Sequence, residues 1–204
     1  ALSALHFAQA EYARADIAAR RAYDTDVFLE STDEVLFRLV STSLELGQDR
    51  EAERWCAELQ HRFQRHWTGA YCALKILAWT AERGRDSPAE VRQALALPRI
   101  EPEFRRFIEP QLQLLAAAAF ARLGYPDSAH AYIRSAGDAG APADPELLSL
   151  EAVARLALDQ QDTAVSLLVR YLEGNPGGRL GVARSRVFRR LRDHPAFVAH
   201  VTTR

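Results

Sequence analysis

Apolar residues recur at helical spacing along almost the whole chain, and no stretch alternates apolar and polar as a half-buried strand would. Leu36, Leu39, Val40 and Leu44 form one such stripe. Ser31-Thr32-Asp33-Glu34 lies just before it and reads as a capping box, which opens a helix over roughly 33–46. Tyr12, Ala15, Ala19 and Ala22 place an earlier helix within residues 1–24. Further helices are predicted over about 49–65, 69–83, 87–97, 103–123, 126–137, 145–158 and 161–173, with a helical tail over 182–201. Pro110 falls inside one of them, where it kinks the helix or marks its true start. Ser87-Pro88-Ala89-Glu90 and Asp144-Pro145 are start signals, a capping residue followed by a proline in the first turn. Gly137 to Pro145 is a Gly, Ala and Pro-rich linker, and Gly174-Asn175-Pro176-Gly177-Gly178 breaks the pattern before the tail.

Between these helices one phrase returns. Leu46-Gly47-Gln48-Asp49-Arg50-Glu51-Ala52 reads as a helix end, a reversal and a new helix, and Leu123-Gly124-Tyr125-Pro126-Asp127-Ser128-Ala129 repeats it. Looser copies are Arg83-Gly84-Arg85-Asp86-Ser87-Pro88-Ala89 and Leu158-Asp159-Gln160-Gln161-Asp162-Thr163-Ala164. Gly supplies the left-handed residue that ends a helix, and Asp159 sits in its place in the last copy. The small Ala five residues on suits a close helix crossing. Ala52, Ala89, Ala129 and Ala164 are 37, 40 and 35 apart, and Ala15 extends the series backward by 37. A phrase at this period signals an array of two-helix units. The fold class expected is all-α: a right-handed α-solenoid of antiparallel helix pairs with about nine to eleven helices. Residues 1–178 form the array, and 179–204 form Arg-rich capping helices. Ala52, Ala89, Ala129 and Ala164 are all expected to be buried at crossings.

The Gly and Ala positions resemble the tetratricopeptide repeat family, in which a Gly closes the first helix and an Ala five residues on seats the second. The resemblance runs over roughly residues 10 to 176. It extends to Val40, Leu77, Ala117 and Ala152, where the family uses a small residue, and to Pro176 after the last pair. It implies that the first helices of successive units line a concave face. Carrying the family's groove positions over gives Glu34, Phe37, Ser41 and Glu45, then Tyr71, Leu74, Ala78 and Glu82. The later units give Gln111, Leu114, Ala118 and Arg122, then Glu146, Ser149, Val153 and Leu156. Phe37, Tyr71 and Leu74 are expected to be apolar groups left open in this groove. The set lacks the Lys/Asn/Arg group with which chaperone-binding members hold a peptide carboxylate, so a different protein segment is the expected ligand.

Composition narrows this picture without redirecting it. The chain is 48% hydrophobic and 26% charged, with net charge −1, so no global field draws it to nucleic acid or acidic membrane. Lys75 is the only lysine, and there is no methionine, which suggests a mature form or a piece of a longer protein. The longest apolar run, near Leu112 to Leu123, is interrupted by Gln113 and Arg122, so no membrane insertion is expected. Residues 1–20 lack the order of a signal peptide, and two cysteines are too few for a disulfide framework. A cytoplasmic protein is expected, with an extracytoplasmic domain of a membrane-anchored parent as the alternative.

Candidate chemistry is sparse. His61 and His66 are five apart, not the three or four that put two ligands on one helix face, so no metal is expected. Cys56 and Cys72 read as buried free thiols, although helices packed in register would bring them together. No nucleophile set or phosphate loop is present, so neither a catalytic residue nor a cofactor is expected. Trp55, Trp67 and Trp79 recur every twelve residues and read as packing between units, with a groove patch as the alternative. The tail carries Arg179, Arg184, Arg186, Arg189, Arg190 and Arg192, read as a solvated cap face rather than a grip on nucleic acid. Its end, Leu191-Arg192-Asp193-His194-Pro195-Ala196-Phe197, resembles the phrase that closes tetratricopeptide regions in bacterial multidomain signalling proteins, with His194 intervening. The function expected is a non-catalytic protein–protein interaction scaffold, a regulatory part of a longer bacterial signalling protein. The alternative is a small-molecule sensor or enzyme on the same scaffold, which a closed, polar-lined cavity would favour.

Overall fold

The computed structural model of the protein describes residues 2–25, 32–138 and 144–202. Among them there is no β-strand, only an isolated bridge between Arg83 and Asp86. Ten helices form five consecutive pairs: α1 (Leu2–Ala8) with α2 (Tyr12–Thr25), α3 (Thr32–Glu45) with α4 (Asp49–Arg62), α5 (Trp67–Thr80) with α6 (Pro88–Ala96), α7 (Pro102–Leu123) with α8 (Pro126–Asp138), and α9 (Pro145–Ala157) with α10 (Gln161–Gly174). The tail adds α11 (Arg179–Arg184), α12 (Pro195–Phe197) and short helical turns. The twelve α-helices exceed the nine to eleven expected because α1 and the short tail helices carry too little periodicity to count. Ser31, first residue of the expected capping box, lies outside the described residues.

Four of the five reversals are built alike. Ala10, Gly47, Gly124 and Asp159 all have positive φ. At Gly124 its own N–H donates to Ala121 O at 3.0 Å, and the N–H of Tyr125 donates to Phe120 O at 2.9 Å. The same pair of bonds occurs at Gly47 with Gln48, at Asp159 with Gln160 and at Ala10 with Glu11. This is the Schellman arrangement, which satisfies the last carbonyls of one helix while turning the chain into the next.

The register set by these turns puts a small residue at the fourth position of four of the five second helices. Ala15, Ala52, Ala129 and Ala164 occupy it and are 0% exposed. Ala89 does not, and it is exposed. In α6 the Ser87 cap is real: its Oγ accepts from the Glu90 N–H, while the Glu90 carboxylate accepts from the Ser87 N–H. That capping box starts the helix at Pro88, so Ala89 is its second residue and Val91 its fourth, with Val91 at 0% exposure. The cap, not the distance from Gly84, sets the register.

The first helices also pack on one another in order, α3 on α5, α5 on α7 and α7 on α9. They form the inner layer, and α7 is its centre, with every residue from Leu114 to Ala121 buried. Pro110 is accommodated inside α7. Two apolar clusters result. The larger runs from α5 through α10 and takes in Val182, Phe188, Leu191, Phe197 and Val201 of the tail. The smaller joins α2, α3, α4 and α5. Within it Cys56 of α4 and Cys72 of α5 are disulfide-bonded, which corrects the reading of two free thiols. Helix packing in register had been needed for this pairing, and the α4–α5 contact supplies it.

Candidate functional site

The tail does more than cover the last pair; it crosses to the other end of the molecule. At the α9–α10 end, Arg190 pairs with Asp159 at 2.8 Å and His194 with Asp162 at 3.0 Å. At the α3–α4 end, the Arg186 guanidinium meets both carboxylate oxygens of Asp49 at 2.5 and 3.1 Å and donates to Leu44 O. Glu45 accepts from the Arg186 N–H at 2.7 Å and the Ser185 hydroxyl at 2.9 Å. The Tyr12 hydroxyl reaches Gly181 O at 3.5 Å. The tail is therefore a strap, and Arg186 and Arg190 are structural ion-pair partners rather than parts of a purely solvated face.

Beneath the strap lies a cavity of about 330 Å³. One wall is α5, through Tyr71, Lys75 and Trp79, spaced four apart on one helical face. The facing wall is α9, through Glu146, Ser149, Leu150 and Val153. Tyr171 and Asn175 close the end of α10, where the Asn175 amide donates to the Tyr171 hydroxyl at 2.7 Å. Phe7, Tyr12 and Glu45 complete the α1–α3 side, and Phe188 of the strap forms part of the roof.

Lys75 is the chemical centre. Its Nζ donates to Ser41 Oγ at 3.1 Å and stands 5.2 Å from the Phe37 ring centre and 5.5 Å from that of Trp79. It forms no ion pair among the described residues. Burial holds the ammonium below its ordinary 10.5, with Glu45 and Glu146 pulling the other way. Glu146 lines the cavity and is exposed to solvent. Burial pushes its carboxyl up, against the opposing pull of Lys75. Its carboxylate has no hydrogen-bond partner among the described residues. The Trp79 indole N–H is buried and likewise has no acceptor. Burial also pushes up the phenols of Tyr71 and Tyr171, and in both the negative charge of Glu146 adds to the shift.

The residues expected in the groove divide between this cavity and the core. Tyr71, Glu45, Glu146, Ser149 and Val153 line the cavity. Leu74, Ala78, Leu114 and Ala118 are only 0, 1, 3 and 0% exposed, and Leu156 is buried too, so they serve the inner-layer core instead. Ser41 is 2% exposed and acts through Lys75. Phe37 is half-buried, edge-on to Tyr71 at 5.3 Å, and Tyr71 is itself 6% exposed; neither is an open apolar group. The expected pattern was rotated by one residue on α5, since Leu74 and Ala78 face the core while Lys75 and Trp79 face the cavity. Glu34, Glu82 and Arg122 are exposed outside the cavity, and Gln111 is half-buried with its amide near Asp144 at 3.5 Å. Arg122 donates to Ala81 O at 3.1 Å.

The tryptophans separate. Trp79 lines the cavity, Trp67 packs edge-on to Tyr71, and Trp55 packs on Tyr23 in the smaller cluster. His61 is exposed, and His66 Nδ1 pairs with Thr68 Oγ1 at 2.8 Å. No group of three or more His, Cys, Asp or Glu that could hold a metal occurs among the described residues. No described helix is long and apolar enough to cross a membrane. The one signal in the sequence that could have found the site is Lys75, the sole lysine, four residues from an aromatic on either side along α5. Comparison with protein-family models, with curated proteins and with solved structures finds no match to this chain.

Proposed function

We propose that the protein is a non-catalytic binding module, a right-handed tetratricopeptide-like array that holds a compact ligand in the cavity under its strap. The observation that carries this is the pair Lys75 and Glu146. Two groups of opposite charge line one cavity, Lys75 half-buried and Glu146 exposed to solvent, and neither has an ion-pair partner among the described residues. Holding the Lys75 ammonium away from water without an ion-pair partner costs stability, so such a group marks a site that a ligand can complete. The cavity's size and its mixture of apolar wall and few polar groups also suit a small ligand. Binding rather than chemistry is the better reading because both cysteines are taken up in the disulfide and the described histidines lie off the cavity wall.

The module reads as a regulatory part of a longer bacterial signalling protein. The Cys56–Cys72 bridge favours the extracytoplasmic side of such a protein over the cytoplasm, where thiols are kept reduced. A second reading has a protein or peptide partner on the same face. The solvent access of Glu146 favours it, because a protruding side chain could enter there. The test is retention of small molecules from a cell extract, read by mass spectrometry after gel filtration and denaturation. Ser149→Trp fills the cavity and should abolish the retention seen with the parent. Equal retention by both proteins, or none by the parent, overturns the reading.

A further inference from the structure

Resting on the reading of the cavity as a binding site, we infer that α1 is its lid, latched by Phe7 and hinged on the reversal at Ala10. Of the α-helices that line the cavity, α1 alone buries no residue; α2, α3, α5, α9, α10 and α11 are each anchored by at least one. Phe7 and Ala8 are its share of the wall. Phe7 is half-buried yet packs against neither apolar cluster, and Leu2 and Leu5 are more than half exposed. α1 packs chiefly on α2, its own pair mate, and only lightly on α3 and α11. A helix of seven residues is marginal without tertiary support. Elements with few buried contacts open at the lowest free-energy cost, and lids are drawn from them.

The latch is one ring. The Arg38 guanidinium of α3 lies over Phe7, 4.6 Å from the ring centre, and Tyr12 of α2 meets the same ring edge-on at 5.3 Å. That guanidinium has no ion-pair or hydrogen-bond partner among the described residues, which leaves the Phe7 ring as the group it rests on. The hinge is Gln9, Ala10 and Glu11, the residues between α1 and α2, with Ala10 in the left-handed region. His6 meets Glu11 at 2.7 Å on this side, so it steadies the turn and ties α1 to none of the facing walls. A swing about the hinge takes Phe7 and Ala8 off the cavity and leaves the ion pairs of the strap with Asp49 and Asp159 intact. Entry under the strap would break those pairs and uncover Phe188. Water reaches the cavity at Glu146, at the start of α9, but Val153 lies two turns farther along that helix and is only 3% exposed.

The experiment is thiol labelling of the whole chain with N-ethylmaleimide. The native cysteines are bridged, so Val153→Cys supplies a single free thiol on the cavity wall, and Ala152→Cys supplies one in the core beside it. With opening fast beside the chemistry, the labelling rate follows the open population. Phe7→Ala should speed labelling at Val153→Cys by about tenfold and leave labelling at Ala152→Cys unchanged. Phe7→Tyr, which keeps a ring over Arg38, should label as the Phe7 chain does. If Phe7→Ala leaves Val153→Cys labelling unchanged, the cavity is reached by another route and the lid is overturned. If it speeds both thiols alike, α1 belongs to the cooperative core and the lid is again overturned. Either failure leaves the binding reading to the retention test, where a parent that retains nothing overturns binding whatever the lid does.

Discussion

Replacing Ala129 with Leu should destabilise the protein, whereas the same change at Ala89 should not. Ala129 is the fourth residue of α8 and is 0% exposed where α8 meets α7. Leucine adds three carbons at a position with no exposed surface, and overpacking of this kind costs about 1–3 kcal/mol. For a chain of this size each kcal/mol lowers Tm by about 2–4 °C. The expected fall is therefore about 2–12 °C. Ala89 is the second residue of α6 and is exposed. Leucine there should change stability by under about 0.5 kcal/mol. Val91, which holds the buried place in that helix, should cost about 1–3 kcal/mol on truncation to Ala, through the cavity left behind. Thermal unfolding of the three variants and the parent, followed by far-UV circular dichroism, decides the matter. If Ala89→Leu falls as far as Ala129→Leu, the helix start set by Ser87 is wrong. If Ala129→Leu melts with the parent, the crossings are not where the stack is tight.

Lys75→Met should raise stability near neutral pH and remove a pH dependence. In the folded state the ammonium value is depressed, so below it the lysine is charged in both states and the burial cost is present in full. Between that value and the ordinary 10.5 the unfolded chain binds the proton more strongly, and stability should rise with pH. The stability difference between parent and variant, from urea titrations at pH 7 to 10, should shrink as pH rises; a constant difference refutes it. Reducing the Cys56–Cys72 bridge, which spans 16 residues, should cost about 3 kcal/mol by the loop-entropy relation. Thiol titration in denaturant without reductant should find no free thiol, and Cys56→Ala/Cys72→Ala should melt where the reduced parent does. Ala10→Gly should stabilise by about 1 kcal/mol, because Ala10 has φ 53 and glycine carries no penalty there; a lower Tm would show that the methyl packing outweighs the strain.

Local chemistry was legible in the sequence, and long-range placement was not. Gly47, Gly124 and Asp159 announce their reversals because a helix end needs a left-handed residue close by in the chain. Ser87 and Glu90 announce the start of α6 in the same way, and they carry enough information to overrule the five-residue spacing that pointed to Ala89. The rotation of α5 is different. Which of Leu74 or Lys75 faces the cavity depends on where α7 packs, and no local signal reports that. The pairing of Cys56 with Cys72 depends on how α4 and α5 lie together. The strap is least legible of all, because Ser185 meets Glu45 across 140 residues, and an arginine-rich tail has the same composition whether it is solvated or bridging.

The strap fixes the number of units. In an open array each unit touches only its neighbours, so a pair can be inserted or deleted at the cost of one interface. Here Arg190 is tied to the last reversal and Arg186 to the first full one, with only a few residues of tail between them. Inserting a helix pair would carry Asp49 away from Asp159 by the thickness of a unit, and the strap could not reach both. Growth by duplication, the ordinary way repeat proteins lengthen, is thus closed to this molecule unless the tail lengthens with it. The ends report on each other as well: fraying at α3 loosens the tail at α10, so the chain should unfold more as one body than as a row of separable units.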